Sequence, residues 1–171
     1  MTILEAVKGR YSVRRYKNQP VNEKDLMTIL ESARWSQSAK NIQNWKYVVV
    51  RDKSVRQKLM TAAKGQQFVA EAPVVIVCCG LDPDYVMTCG QPAYSLDVAI
   101  SMENMSLTAH ELGLGTCWLG AFYEDEVKSV LGIPKTDVRV VGMLTLGYPG
   151  DSPNPKHRKS LNDIVCYEKW S

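Results

Sequence analysis

Residues 92–112 carry apolar side chains on two faces of one helix, and this constrains the fold more than any other feature of the chain. Val98, Met102, Met105, Ala109 and Leu112 recur at steps of four and three. Ala93, Leu96, Ile100 and Leu107 fall on a second face. A helix that is apolar on two sides is buried on two sides. In a chain of 171 residues, one side has a sheet to pack on and the other is left for a second copy of the chain. The pattern therefore predicts a homodimer built around this helix.

The run Val74-Val75-Ile76-Val77-Cys78-Cys79 is continuously apolar and reads as a strand covered on both faces. Adjacent Cys78 and Cys79 then point to opposite sides of the sheet. Further strands are expected at 45–51 and 138–146, with a short strand or extended loop at 116–122. Gly142 marks a bulge or a close approach within the last strand. Helices are expected at 2–9, with Ile3, Leu4 and Val7 on one face, and from Asn22 to about Arg34, with Leu26, Ile29, Leu30 and Ala33 inward. Two more are expected at 54–64 and 123–131. Residues 80–90 read as a loop, and 152–160 as an extended basic tail before a short helix or arm. Helices and strands mix without regular βαβ spacing. The fold class is therefore α+β, one sheet flanked by helices, in a single domain over 1–171.

Composition narrows the function. Hydrophobic residues make up 45% and charged residues 23%, with a net charge of +3. That balance is too weakly basic to indicate nucleic acid. No apolar run approaches the roughly 20 residues that span a bilayer, and the N-terminus has no secretory h-region. The expected location is cytoplasmic. Five cysteines without regular spacing argue against a disulfide framework and against zinc or iron–sulfur ligation, so no metal is expected. They read as small buried hydrophobes, with a redox role for Cys89 or Cys117 as the alternative. Gly113-x-Gly115 follows a helix and has Trp118 at the third glycine position, which rejects a dinucleotide fingerprint. His110 and His157 are the only histidines, and neither sits in a Ser-His-Asp setting.

What remains is a split polar set. Arg10, Ser12 and Arg14 lie at the start, Ser38, Asn41 and Gln43 before the first strand, and Lys156 and Arg158 near the end. Arginine forks and a lysine suit phosphate oxygens. The amides and hydroxyl suit the edge of a polar heteroaromatic ring. Together they point to a phosphate-bearing cofactor with a ring system.

Four segments carry a resemblance. Arg10-Tyr11-Ser12-Val13-Arg14-Arg15-Tyr16 resembles the first signature of the FMN-dependent nitroreductase family. Ser36-Gln37-Ser38-Ala39-Lys40-Asn41-Ile42-Gln43-Asn44-Trp45 resembles the second. Gly113-Leu114-Gly115-Thr116-Cys117-Trp118-Leu119-Gly120 resembles the third, and Lys156-His157-Arg158 the last. They occur in family order over nearly the whole chain.

The resemblance implies a dimeric nitroreductase-like fold with a mainly antiparallel sheet. It implies FMN held by Arg10, Tyr11, Ser12, Arg14, Lys156 and Arg158. Ser38, Ala39, Asn41 and Gln43 would reach the flavin from the partner subunit, and Trp118, Leu119 and Gly120 would lie along its ring. Shared FMN sites would then sit at the dimer interface, with residues 92–112 as the central dimer helix. The implied activity is ping-pong hydride transfer from NADH or NADPH to a nitroaromatic, quinone or similar small electron-poor acceptor. No side chain need act as acid or base, because the flavin carries the chemistry. Lys40 or Arg14 is the expected cation near the flavin ring edge. The alternatives are a non-catalytic flavin-binding or redox-sensing dimer, or a flavin-specialised relative such as an ene-reductase, dehalogenase or flavin-converting enzyme. The chain departs from the family pattern in a short region at 81–91, where substrate-covering elements often lie. It also has Gln37 where proline is common.

Overall fold

The computed structural model of the chain describes residues 1–170. A four-stranded antiparallel sheet is built from β1 (Trp45–Val50), β2 (Val74–Leu81), β3 (Gly115–Leu119) and β4 (Val138–Gly147). The strand order is β1-β2-β4-β3, so β1 and β3 form the two edges. Among the described residues, six α-helices accompany it: α1 (Ile3–Gly9), α2 (Glu23–Arg34), α3 (Lys53–Ala62), α4 (Phe68–Glu71), α5 (Ala93–Glu111) and α6 (Glu124–Leu131).

The buried strand β2 splits its side chains between two cores. Val75, Val77 and Cys79 join Leu59, Phe68, Val69 and Val127 beneath α3, α4 and α6. Val74, Ile76 and Cys78 join Leu26, Ile29, Val98, Met102 and Met105 beneath α2 and α5. The two cysteines point to opposite faces, as the period-two rule requires. Helices cover both faces, so this antiparallel strand carries the continuous apolar run usual in parallel sheets.

Local signals explain most boundaries. Thr2 and Glu5 form a reciprocal capping box at α1. Asn22 and Asp52 cap α2 and α3 through their side chains. Gly132 ends α6 in the left-handed region at φ 65°. Opposite β2, Cys78 faces Gly142 and Cys79 faces Val140, which leaves Val141 as the extra residue of a bulge. Gly142 is also a close approach: a Cβ there would stand 2.9 Å from Met102 Cε.

Several expectations need correction. Gly80 lies inside β2 rather than in a loop, because its missing Cβ makes room for Tyr94. The short α4 was not foreseen, since four residues show no period. Ile3 and Leu4 are 81% and 60% exposed, and Val7 is exposed too, so the apolar face of α1 is not buried within the chain. On α5, Val98, Met102, Met105 and Ala109 are buried, whereas Leu96 and Ile100 are exposed. Leu112 lies past the helix end and is exposed. Of the cysteines, Cys78, Cys79 and Cys117 are buried, but Cys89 and Cys166 are exposed. Residues 152–170 run as an exposed arm with a single 3₁₀ turn at Leu161–Asp163.

Candidate functional site

The segment after α1 runs beside edge strand β3. Ser12 bridges Thr116 in parallel, and the Val13 N–H donates to Thr116 O at 2.9 Å. Glycine at 115 permits this approach, because a Cβ there would stand 2.3 Å from Val13 Cγ2. This pairing sets Arg10, Tyr11, Ser12 and Arg14 along one sheet edge.

The C-terminal arm comes to the same place. Lys156 Nζ donates to Lys8 O at 2.5 Å and also to Arg10 O. A cation there complements the negative end of α1. Arg10, Tyr11, Ser12, Arg14, Asp151, Lys156 and Arg158 line one hollow of about 350 Å³. The Lys156 ammonium is held below its usual range by desolvation and by the nearby Arg10 and Arg158. Mutual repulsion among fixed cations is what an anion would relieve.

Two carboxylates brace this set, and sequence reasoning missed both. Glu103 on α5 accepts from Arg10 Nε at 3.0 Å. Asp151 Oδ2 accepts from the Arg14 N–H at 3.1 Å, and its Oδ1 is buried without a hydrogen bond. Tyr11 donates its hydroxyl to Asp151 O at 2.8 Å. Its pKa is raised by desolvation and by the Asp151 charge, so it stays a neutral donor. Neither carboxylate carries a local sequence signal, because each meets its partner far along the chain, Glu103 across 93 residues and Asp151 across 137.

A second hollow of about 400 Å³ continues from the first, sharing Arg10 and Ser12. Its walls are Met102, Glu103 and Ser106 of α5 and Thr116 and Trp118 of β3. Ser106 and Thr116 share a hydroxyl hydrogen bond of 2.8 Å. Trp118 is 53% exposed, with its indole N–H on Met102 Sδ. Leu119 turns its side chain into the core, so it offers only backbone here. A Cβ at Gly120 would meet nothing within 4 Å, which leaves open space past the strand end. Cys117 is buried, and desolvation raises its thiol pKa against the opposing pull of Arg14 and Ser12. A thiol held protonated is a poor redox nucleophile.

The second predicted cluster lies elsewhere. Ser38, Ala39, Asn41 and Gln43 form a loop before β1, the opposite edge, and line neither hollow. Ser38 Oγ accepts from the Gln43 N–H at 3.0 Å, and Asp97 Oδ1 on α5 accepts from the Ala39 N–H at 3.0 Å. One chain thus joins the first and last motifs with Trp118 but leaves the 38–43 loop apart. Lys40 sends its ammonium over the Tyr85 ring, 5.4 Å from the centroid. Tyr85 belongs to the short 81–91 region, which folds into a tight hairpin with Met87 N–H on Gln91 O and Ala93 N–H on Tyr85 O. Among the described residues, no group of three or more acidic, cysteine or histidine side chains gathers to hold a metal, and no helix is long and apolar enough to cross a membrane.

This geometry defines a class: an α+β protein with a cation-lined groove along a sheet edge. The Nitroreductase family model matches residues 7–83 and 61–148. The chain is 33% identical over 173 residues to a putative NADH dehydrogenase/NAD(P)H nitroreductase of Archaeoglobus fulgidus, covering 98% of each. It is 31% identical to a protein of the same description from Methanothermobacter thermautotrophicus, covering 99% of this chain and 88% of that one. The crystal structure of a nitroreductase family protein from Clostridium difficile 630 superposes with a TM-score of 0.89 at 30% identity, covering 99% of this chain and 100% of that one. The chain belongs to the nitroreductase family.

Proposed function

We propose that this chain is a cytoplasmic FMN-dependent oxidoreductase that uses NADH or NADPH to reduce nitroaromatics, quinones or similar small electron-poor acceptors. It works as a homodimer of single cofactor-binding domains, with two shared FMN sites. The observation that carries this reading is the continuity of the cation-lined hollow with the Trp118 groove. A phosphate fits the first and a flat ring the second. The names of the two archaeal relatives support a nicotinamide donor.

The residues present fit FMN. Arg10, Arg14, Lys156 and Arg158 hold its phosphate, with Arg10 aimed by Glu103 and the Arg14 backbone held by Asp151. Ser12 and Thr116 border the sugar-alcohol chain. Trp118, the Leu119 backbone and Gly120 border the ring. Ser38, Ala39, Asn41 and Gln43 complete the site from the partner subunit. Exposed apolar side chains on α1 and α5 supply the dimer face. FMN held there would supply the hydride chemistry between NADH or NADPH and the acceptor, in ping-pong order. The chain's own part is to bind, orient and stabilise charge.

Two flavins that differ only in the phosphate test this assignment. FMN should bind at least about a hundredfold tighter than riboflavin, the value of one or two charge-assisted contacts. Lys156→Ala should remove much of that difference. Equal affinity for the two flavins would contradict the phosphate assignment.

A further inference from the structure

The loop before β1 holds three non-glycine residues in the left-handed region: Lys40 at φ 51°, Asn41 at φ 55° and Gln43 at φ 60°. The left-handed region is disfavoured for residues that carry a Cβ, least so for asparagine. A segment carrying three persists only where its surroundings over-determine it. Most of the bonds that hold it are local and exposed. Ser38 Oγ takes the Gln43 N–H, and Gln43 Nε2 lies 3.3 Å from both Asn41 oxygens.

The buried anchor is Asp97. It is 4% exposed, on the inward side of α5 with Val98, Ser101 and Met102. Its Oδ1 accepts the Ala39 N–H at 3.0 Å, across 58 residues of chain. A carboxylate is costly to bury, and its hydrogen bonds to N–H groups are the strong ones. A buried charge in a helix that faces a sheet is unneeded for packing. Its one cross-chain contact is the residue that opens the left-handed turn.

We propose that Asp97 is a positioning residue: it clamps the Ala39 backbone and so holds the 38–43 loop in the strained shape that presents Ser38, Ala39 and Asn41 to the cofactor. Asp97 itself touches no cofactor. The role rests on the reading of this loop as part of the FMN site.

The test uses the full chain and two variants, Asp97→Ala and Asp97→Asn. Amide hydrogen exchange is read on the FMN-free protein, and FMN affinity by quenching of flavin fluorescence. In Asp97→Ala, exchange in the 38–43 segment should rise about tenfold or more while β2 stays protected, and the FMN dissociation constant should rise about tenfold. Asp97→Asn keeps a neutral carbonyl oxygen in the same place and should recover about half of each loss, leaving about threefold effects. If Asp97→Ala does not fold, Asp97→Asn supplies the folded comparison, with about threefold effects in the same directions. Unchanged loop exchange overturns the clamp. Faster loop exchange with unchanged FMN affinity reduces Asp97 to a structural residue and overturns the positioning role. A wild type that binds no FMN removes the cofactor reading and this role with it. A wild type that binds FMN beside indifferent variants removes this role alone.

Discussion

At Glu124, one carboxylate serves three partners. It accepts from Arg139 at 3.0 and 3.1 Å and from the Val140 N–H at 2.8 Å, and pairs with buried Lys128 at 3.2 Å. Burial pushes its pKa up, but the bonds from Arg139, Val140 and Lys128 outweigh that and leave it below the usual 4.5. A carboxyl with a lowered folded pKa contributes fully above its unfolded value and loses that contribution as pH falls through the folded one. The wild type should therefore lose more of its urea midpoint between about pH 5 and pH 3 than Glu124→Gln does. Equal losses would assign the acid sensitivity to other carboxyls. Residues of this kind were hard to read from sequence. Asn22 was legible because a cap acts within three positions. Glu103, Asp97 and Asp151 act across 93, 58 and 137 residues of chain, and no local pattern carries that information.

Among the elements, the most legible were those with long, unmixed patterns. β2 and α5 fall where the apolar runs place them, and the bulge falls at Val141, next to Gly142. Glycine misled at Gly80, where it marks close packing on Tyr94 rather than a break. β3 shows the same device. Gly115 lets Val13 press against the edge strand, and that contact aligns Arg10, Ser12 and Arg14 with the groove. Val13 is fully buried and β-branched, so it has little freedom to move aside. Gly115→Ala should destabilise the fold by about 1–3 kcal/mol, read as a lower urea midpoint with an unchanged slope. A neutral effect would mean the N-terminal segment shifts freely along β3.

At the scale of the whole molecule, the proposed homodimer rests on two exposed apolar faces. The face of α1 with Ile3, Leu4 and Val7 and the outer face of α5 with Leu96 and Ile100 leave large apolar side chains in water. A hollow of about 400 Å³ between them is lined by Ile3, Trp35 and Leu107. Apolar patches of this extent mark association surfaces. Ile100→Asp should convert a dimer to a monomer in sedimentation, and FMN affinity should fall with it, because the 38–43 loop then has no flavin to meet. An unchanged dimer would place the interface elsewhere. The sequence carried the two-sided helix plainly, but not which side the chain's own sheet would take. The most direct test of the account as a whole is the visible spectrum of purified protein that has been incubated with FMN, desalted and then given NADH or NADPH without oxygen. The account predicts retained yellow flavin near one per chain that bleaches with at least one of the two donors. Protein that retains no flavin, or retains flavin that neither donor bleaches, would contradict it.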